Sequence, residues 1–351
     1  MKLLFAVLLT FTCYLLPTYG EETLEQLLPT EDFKGPFHIE SRETRQITFT
    51  YNITAETPDE RVEKWVVNLP EPPTTGSQTI QAAEFLVKGV AVKWSKNKDA
   101  SSLHRDFRAA VLDRDSGTSG KIIVTANYTA TMYSRRLIAG KSPVRIATLP
   151  ADEVKAFTAS TLTCDYRDAG VQAWIKEHGL TKSNDETELR FASRVFQSLQ
   201  KLLRYESPNS DADFFRCSRT VKIGKGDCGA SNLLFSGILR NAGIPSRVYC
   251  GRWIVNPKPG DTHSRGEFFI DDIGWVPVDA TAESKIGFNN FGTDSGQYFA
   301  TSLETDWQID LPKFGVQKLT WLHQYIVPYR SNGKSTWDGF KRNESFTLTE
   351  Q

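Results

Sequence analysis

The alternation of apolar and polar positions is typical of β-strands in the first part of the chain. Residues 46–53 alternate strictly, and the runs at 65–70 and 121–133 are rich in β-branched and aromatic side chains. Loops such as the proline-rich turn at 72–76 separate these segments. Several strands with loops between them predict a β-sandwich-like N-terminal domain over residues 21–150.

Beyond residue 150 the apolar spacing changes to that of helices. Residues 168–178 and 186–203 carry apolar side chains three and four positions apart, which predicts two amphipathic helices. Strand composition returns in three later segments, 246–255, 267–270 and 275–278. Helices followed by antiparallel strands predict an α+β domain over residues 151–305. We interpret residues 306–351 as a C-terminal extension that packs on the core.

The first twenty residues have the pattern of a targeting signal. Lys2 supplies a positive charge, residues 3–16 are almost wholly apolar, and Thr18 and Gly20 are small residues at suitable cleavage positions. Because the apolar run is short for a membrane span, it predicts a cleaved signal peptide at residues 1–20 and a secreted or periplasmic protein. An uncleaved N-terminal anchor is the alternative. No integral membrane segment is expected after cleavage.

The composition excludes some classes of partner. The chain of 351 residues has 42 Lys and Arg against 42 Asp and Glu, and 39% of its residues are hydrophobic. This balance gives no basic surface for nucleic acid, while the apolar content is sufficient for two ordinary domains. The absence of Cys-x-x-Cys and of closely spaced His and Cys argues against a structural metal site. We expect no cofactor, and the oligomeric state is open.

Cysteine usage leaves one pairing question open. Removal of the signal leaves Cys164, Cys217, Cys228 and Cys250. If Cys228 is a free nucleophile, the other three allow at most one disulfide bond in an oxidising compartment. Which two of Cys164, Cys217 and Cys250 would pair does not follow from the sequence.

Three residues that could form a thiol catalytic triad occur in the order cysteine, histidine, aspartate. Cys228 stands directly ahead of a helical pattern, His263 precedes an apolar strand, and Asp279 follows the returning strand. A thiol nucleophile needs a base to take its proton, and the base needs a carboxylate to fix its tautomer. A tight turn at 271–274 would bring His263 near Asp279, provided that the hairpin register is slightly staggered.

The helix that follows Asp227 ends at Gly243 and Pro245, which places Cys228 in its first turn. There the unpaired backbone amides and the helix dipole favour a thiolate. The amide of Cys228 could serve as one oxyanion donor. The second donor is open: Tyr205 is one candidate, with core packing as its alternative role.

These motifs together resemble the transglutaminase-like superfamily, in particular its microbial members with a papain-like fold. The segments that carry the resemblance are 226–229 (GDCG), 239–248 (LRNAGIPSRV), His263 and 274–281 (GWVPVDAT), with bordering motifs at 157–161, 165–166 and 298–300. The resemblance covers residues 150–305 and implies a transglutaminase-like, papain-like catalytic core. It also implies Cys228 as the nucleophile, His263 as the base and Asp279 as its orienting group.

The histidine segment departs from the family pattern. Members commonly have His-Ala-Trp-Val-Glu, whereas residues 263–267 are HSRGE, so Arg265 stands in place of the tryptophan. This change leaves the rim of the site, and with it the choice of substrate, open. No acidic cluster resembles the calcium sites of animal transglutaminases, so calcium dependence is not implied.

The leading interpretation is an exported cysteine enzyme that forms an acyl-enzyme from an amide of a protein or peptide. Water as the acceptor would make it a protease or amidase, which the resemblance favours, and a lysine amine would make it a cross-linking transglutaminase. A second hypothesis is a catalytically silent binding or scaffold protein that uses the same fold. An arylamine acyltransferase is disfavoured because the arginine-rich cysteine motif of that family is missing.

Overall fold

The computed structural model describes residues 33, 35–88, 91–101, 103, 105–114, 120–208, 211, 213–255, 262–281, 291–311, 315–321 and 325–350. The predicted signal peptide at residues 1–20 lies outside the described residues. Within the described ranges, no helix is both long enough and apolar enough to cross a membrane.

The described residues form strands at both ends of the chain and helices in the middle. The helices are α1 (Ala151–Phe157), α2 (Ala169–Glu177), α3 (Glu188–Leu202), α4 (Cys217–Ile223) and α5 (Cys228–Asn241). The strands are β1 (Phe37–Glu56), β2 (Val62–Pro70), β3 (Gln78–Val87), β4 (Ser95–Lys98), β5 (Asp106–Asp113), β6 (Lys121–Ala139), β7 (Arg204–Tyr205), β8 (Lys225–Gly226), β9 (Ser246–Trp253), β10 (Thr262–Ile270), β11 (Gly274–Val278), β12 (Thr293–Asp294), β13 (Tyr298–Leu303), β14 (Trp307–Leu311), β15 (Gly315–Leu319), β16 (Tyr325–Arg330) and β17 (Lys341–Glu350).

Two antiparallel sheets pack against each other in the N-terminal part of the protein. One has the order β12-β6-β1-β17, with β3 also paired to β6, and the other has the order β16-β2-β5-β4. Their facing side chains, such as Phe49, Trp65 and Tyr128, belong to one buried cluster. Alternate positions of β1 are buried because successive side chains of a strand point to opposite faces. The expected β-sandwich-like architecture is confirmed.

A second core forms where the helices meet a four-stranded antiparallel sheet. That sheet has the order β11-β10-β9-β13, and the almost wholly buried helix α5 lies against β9 and β10. Phe235 of α5 contacts Phe268 of β10 edge to face, with the ring centroids 5.9 Å apart. The helices and this sheet confirm the α+β class, and the predicted helices at 168–178 and 186–203 correspond to α2 and α3.

The strands at the end of the chain join the sheets formed at its beginning. β17 pairs with β1 from Ile47↔Glu350 to Glu56↔Lys341, and β16 pairs with β2. Residues 325–350 therefore complete the N-terminal sandwich by backbone pairing. The domain boundaries at residues 150 and 305 stay a prediction.

Candidate active site

The nucleophile candidate lies at the start of a buried helix. Asp227 caps α5, and its carboxylate accepts a hydrogen bond from the Ala230 amide at 2.9 Å. Cys228 is the first helical residue and is 9% exposed. At this position the amides of the first turn have no partner within the helix and the helix dipole is positive. The backbone therefore agrees with the prediction that Cys228 lies in the first turn of a helix.

The histidine and aspartate candidates come from the hairpin of β10 and β11. The last backbone pair of this hairpin is Gly266↔Val278, so Asp279 lies one position beyond it, across from Arg265. His263 lies two positions before Arg265, on the same face of the strand. His263 thus stands diagonally from Asp279, which is the stagger that the sequence required.

His263 and Asp279 form a short, shielded hydrogen bond. The distance from His263 Nε2 to Asp279 Oδ2 is 2.6 Å, and the two side chains are 14% and 5% exposed. Burial by itself would lower the pKa of His263, but the Asp279 carboxylate and the Cys228 thiol outweigh it and raise this pKa to about 10. The imidazole is therefore protonated at neutral pH. Because Nε2 faces Asp279, Nδ1 is the nitrogen left for Cys228.

The Asp279 carboxylate is held ionised by its neighbours. Burial would raise its pKa, but the charge of His263, its hydrogen bond and the charge of Arg265 hold the pKa of this carboxyl well below its usual range. Oδ1 also accepts hydrogen bonds from the amide and the hydroxyl of Thr281. Together with the Asn232 side-chain amide, five donors or cations surround the carboxylate and fix its orientation.

Asn232 connects Cys228, Asp279 and Ser264, the residue after His263, and sequence reasoning missed it. Its side-chain amide donates to the Cys228 carbonyl at 2.9 Å, to the Ser264 carbonyl at 3.0 Å and to Asp279 Oδ1 at 3.2 Å. Its oxygen accepts the Ala280 amide at 2.9 Å. Asn232 lies four positions after Cys228, so it projects from the same face of α5 one turn later. That spacing is the signal that could have found it.

Arg265, which stands in place of the tryptophan, is buried and does not itself lie at the rim of the site. Its side chain is 7% exposed, and its guanidinium is 3.1 Å from Asp294 Oδ1 and 4.0 Å from Asp279 Oδ2. It also donates to the Thr293 carbonyl at 2.9 Å. The inward orientation follows from these acidic partners, since a buried guanidinium requires compensating charge. Arg265 therefore acts behind the candidate triad.

An aromatic pair contacts the histidine in place of the missing tryptophan. The ring of Trp253, from β9, lies 5.2 Å from the His263 ring, and the Tyr298 ring lies 6.1 Å from it. The Tyr298 hydroxyl donates to the His263 carbonyl at 2.9 Å. Gly251 makes room for this tyrosine, because a Cβ at position 251 would lie 2.8 Å from the hydroxyl. Trp253 thus supplies aromatic surface from a different strand.

Tyr205 lies beside the helix start and does not pack in the core. It belongs to β7, which pairs in parallel with β8 so that Tyr205 stands opposite Gly226, two positions before Cys228. The residue is 47% exposed. Burial of its inner part, followed by its proximity to Cys228 and Asp227, raises its pKa. The phenol is therefore available as a hydrogen-bond donor near the thiol.

No metal centre accompanies this arrangement in the part of the chain that the structure describes. There, no three His, Cys, Asp or Glu side chains group in a way that could hold a metal ion. The expectation of no cofactor stays a prediction.

Residues 177–280 match the family profile of the transglutaminase-like superfamily, so the chain carries a transglutaminase-like domain. The resemblance drawn from the motifs is thereby confirmed. No protein with a curated functional description matches the chain significantly.

One solved structure extends the similarity beyond that domain. A candidate cysteine protease from Cytophaga hutchinsonii matches with a TM-score of 0.55 at 13% identity, covering 89% of this chain and 92% of that one. The periplasmic domain of TgpA from Pseudomonas aeruginosa matches with a TM-score of 0.34 at 12% identity, covering 69% of this chain and 92% of that domain. At this identity the Cytophaga structure shows that the fold is shared.

Proposed function

We propose that this protein is a cysteine enzyme that acts on amide bonds of proteins or peptides through an acyl-enzyme at Cys228. The observation that carries the proposal is the 2.6 Å hydrogen bond between His263 and Asp279, beside the Cys228 thiol at the start of α5. A nucleophile, a base and an orienting carboxylate at a helix N-terminus fit acyl transfer. The transglutaminase-like domain supports the same reading.

In the proposed reaction, Cys228 and His263 take part in both the formation and the breakdown of the acyl-enzyme. His263 holds the proton that Cys228 gives up, and the thiolate, which this imidazolium stabilises, attacks the amide carbon. His263 then gives the proton to the leaving amine, which departs and leaves a thioester. In the second half, His263 takes a proton from the acceptor, which attacks the thioester and releases Cys228. Asp279 stays ionised and holds the imidazole in place throughout.

Two donors would stabilise the negative oxygen of the tetrahedral intermediates. The amide of Cys228 is the first, because an amide in the first turn of α5 has no acceptor within the helix. We assign the Tyr205 hydroxyl as the second, on the basis of its exposure and its proximity to the thiol. Tyr205→Phe is expected to lower kcat about 100-fold. Stability should change by less than about 0.5 kcal/mol, since the residue is half exposed.

Water is the acceptor that we favour, which makes the enzyme a protease or amidase, and a lysine amine is the alternative. Incubation of the protein with a glutamine-containing peptide library, with and without a primary amine, separates the two. Shortened or deamidated peptides indicate hydrolysis, whereas peptides that gain the mass of the amine indicate transamidation. Cys228→Ala is the matched control and should abolish either product.

The first test of the site itself is alkylation of Cys228 by iodoacetamide as a function of pH. Tryptic cleavage puts Cys228 alone in peptide 226–240, so mass spectrometry follows it without interference. We expect rapid alkylation at neutral pH in the wild type and slow alkylation in His263→Ala. An equal rate in both proteins would contradict a working Cys–His pair.

The competing proposal is a binding or scaffold protein, in which Cys228→Ala would leave every activity unchanged.

We also propose that the protein is exported to the periplasm or the exterior. Residues 1–20 carry that proposal alone, and N-terminal sequencing of the mature protein from cell fractions tests it. A mature chain that still begins at Met1 would overturn it.

A further inference from the structure

Cys164 and Cys217, which the proposed reaction does not use, lie side by side in the helical core. Cys164 belongs to the loop between α1 and α2, and Cys217 is the first residue of α4. The Cys217 amide donates to the Thr163 carbonyl at 2.9 Å, which brings the two backbones together. Both residues are 0% exposed.

The two sulfur atoms occupy one small space beneath α5. The Cys217 and Cys164 thiols contact the same acceptor, the Leu233 carbonyl, at 3.4 and 3.8 Å. A Cβ at Gly237 would lie 3.3 Å from the Cys217 sulfur and 3.4 Å from the Cys164 sulfur. Because Gly237 has no side chain, it provides the space that the two sulfur atoms occupy. Their hydrogen bond, followed by burial, raises the pKa of Cys217.

We propose that Cys164 and Cys217 form a disulfide bond when the chain folds under oxidising conditions. Two neighbouring sulfur atoms, a direct backbone bond between the segments and a shared acceptor bring the two cysteines together, and close approach is the first requirement of a disulfide. This answers the pairing that the sequence left open. It does not depend on whether Cys228 is catalytic.

The oxidant is a small disulfide such as oxidised glutathione. The thiolate of one cysteine attacks the glutathione disulfide and forms a mixed disulfide, which releases one glutathione thiol. The second cysteine then attacks the protein sulfur of that mixed disulfide and displaces the second glutathione. Two protein thiols lose two protons and two electrons in total, and one glutathione disulfide becomes two thiols. Because both cysteines are fully buried once folded, this exchange takes place during folding.

The bond would fix the helices that precede the candidate nucleophile. About 50 residues, including α2 and α3, lie between the two cysteines, so the cross-link removes a large amount of freedom from the unfolded chain. It would leave Cys228 reduced. The remaining cysteine, Cys250, lies on β9 next to Ser264 of β10, and it is not part of the pair.

Tryptic cleavage separates the four cysteines that follow the predicted signal peptide completely. They fall in peptides 156–167, 217–219, 226–240 and 248–252. The reduced, unfolded protein is refolded with reduced and oxidised glutathione, its free thiols are blocked with N-ethylmaleimide under denaturing conditions, and the digest is analysed without reduction. We expect peptides 156–167 and 217–219 to be joined, with Cys228 and Cys250 blocked.

Any cross-link that includes Cys228 or Cys250, or four blocked cysteines, would overturn the proposal. Cys250→Ala is the matched control and should give the same joined peptides. In the wild type, the oxidised form should melt about 5 to 10 °C above the reduced form. In Cys217→Ala the two treatments should give the same melting temperature, and an equal rise in that variant would also overturn the assignment.

Discussion

Replacement of Asp279 by asparagine is the most direct perturbation of the candidate site. The amide has nearly the shape of the carboxylate but no charge, so the geometry around His263 is kept while the ion pair is lost. Without the carboxylate, the ring loses the two largest influences that raise its pKa, while burial, which lowers it, remains. We therefore expect the pKa of His263 to fall from about 10 toward its ordinary value of 6.5 in Asp279→Asn.

The size of the expected effect on stability follows from the pKa of His263. A difference between about 10 and 6.5 corresponds to on the order of 5 kcal/mol of differential stabilisation, at about 1.4 kcal/mol for each pKa unit. The folded pKa of His263 is raised, so this stabilisation is fully present below pH 6.5 and is lost as the pH rises through about 10. The lowered pKa of Asp279 reflects the same ion pair between Asp279 and His263. The stabilisation from this ion pair is therefore counted only once, through the pKa of His263. The free energy of unfolding of the wild type should fall across that window more steeply than that of Asp279→Asn.

Nuclear magnetic resonance on protein labelled at the histidine ring measures the pKa directly, and urea denaturation from pH 6 to 10 measures the stability. The chain has only five histidines, and His263→Ala assigns the signal. Asp271→Asn is the matched control, since Asp271 is an exposed aspartate in the turn of the same hairpin. A wild-type His263 that titrates near pH 6.5, or one that Asp279→Asn leaves unchanged, would refute the ion pair.

Three further substitutions test the support of the site. Asn232→Ala should cost about 2 kcal/mol in urea denaturation, because it removes the donor to three oxygens, and it should slow iodoacetamide alkylation of the nucleophile candidate. Arg265→Met should lower the free energy of unfolding by about 3 to 5 kcal/mol, because it leaves the buried Asp294 without its cationic partner. The Arg265→Met/Asp294→Asn double variant should recover most of this loss, and no recovery would refute the pairing. Gly251→Ala should lower the stability by about 3 kcal/mol or more, because its Cβ would clash with the Phe299 carbonyl oxygen. Thermal denaturation measures this loss, and an unchanged melting temperature would contradict the packing.

Helices with a capping side chain could be predicted from the sequence, and those without one were missed. Asp168, Thr187 and Asp227 accept hydrogen bonds from the first turns of α2, α3 and α5, and each of these helices has apolar residues at helical spacing. α1 and α4 follow Pro150 and Arg216, which make no side-chain cap, and each has only seven residues. Two turns are too short for an apolar period to stand out.

The candidate triad could be named from local motifs, whereas its supporting contacts could not. Each triad candidate stands next to a recognisable helix start or strand end. The orientation of Arg265, by contrast, depends on Asp294, which in turn accepts a hydrogen bond from Ser77 at 2.8 Å. Such partners are far apart in the chain, and no local pattern joins them. For this reason the position of the Arg265 side chain could not be predicted from the sequence.

These long-range contacts make the N-terminal strands part of the candidate site. Gln78, at the start of β3, exchanges two hydrogen bonds of 2.8 Å with the backbone of Ala300, in the sheet that carries His263. Arg135 of β6 is buried against Glu267 of β10 and also donates to the Trp275 carbonyl of β11. Without those strands, Glu267 would lose one of its buried cationic partners, and the back of the β10–β11 hairpin would be open to water. We therefore expect the pairing of His263 with Asp279 to depend on the contacts that the N-terminal strands make with the sheet that carries them.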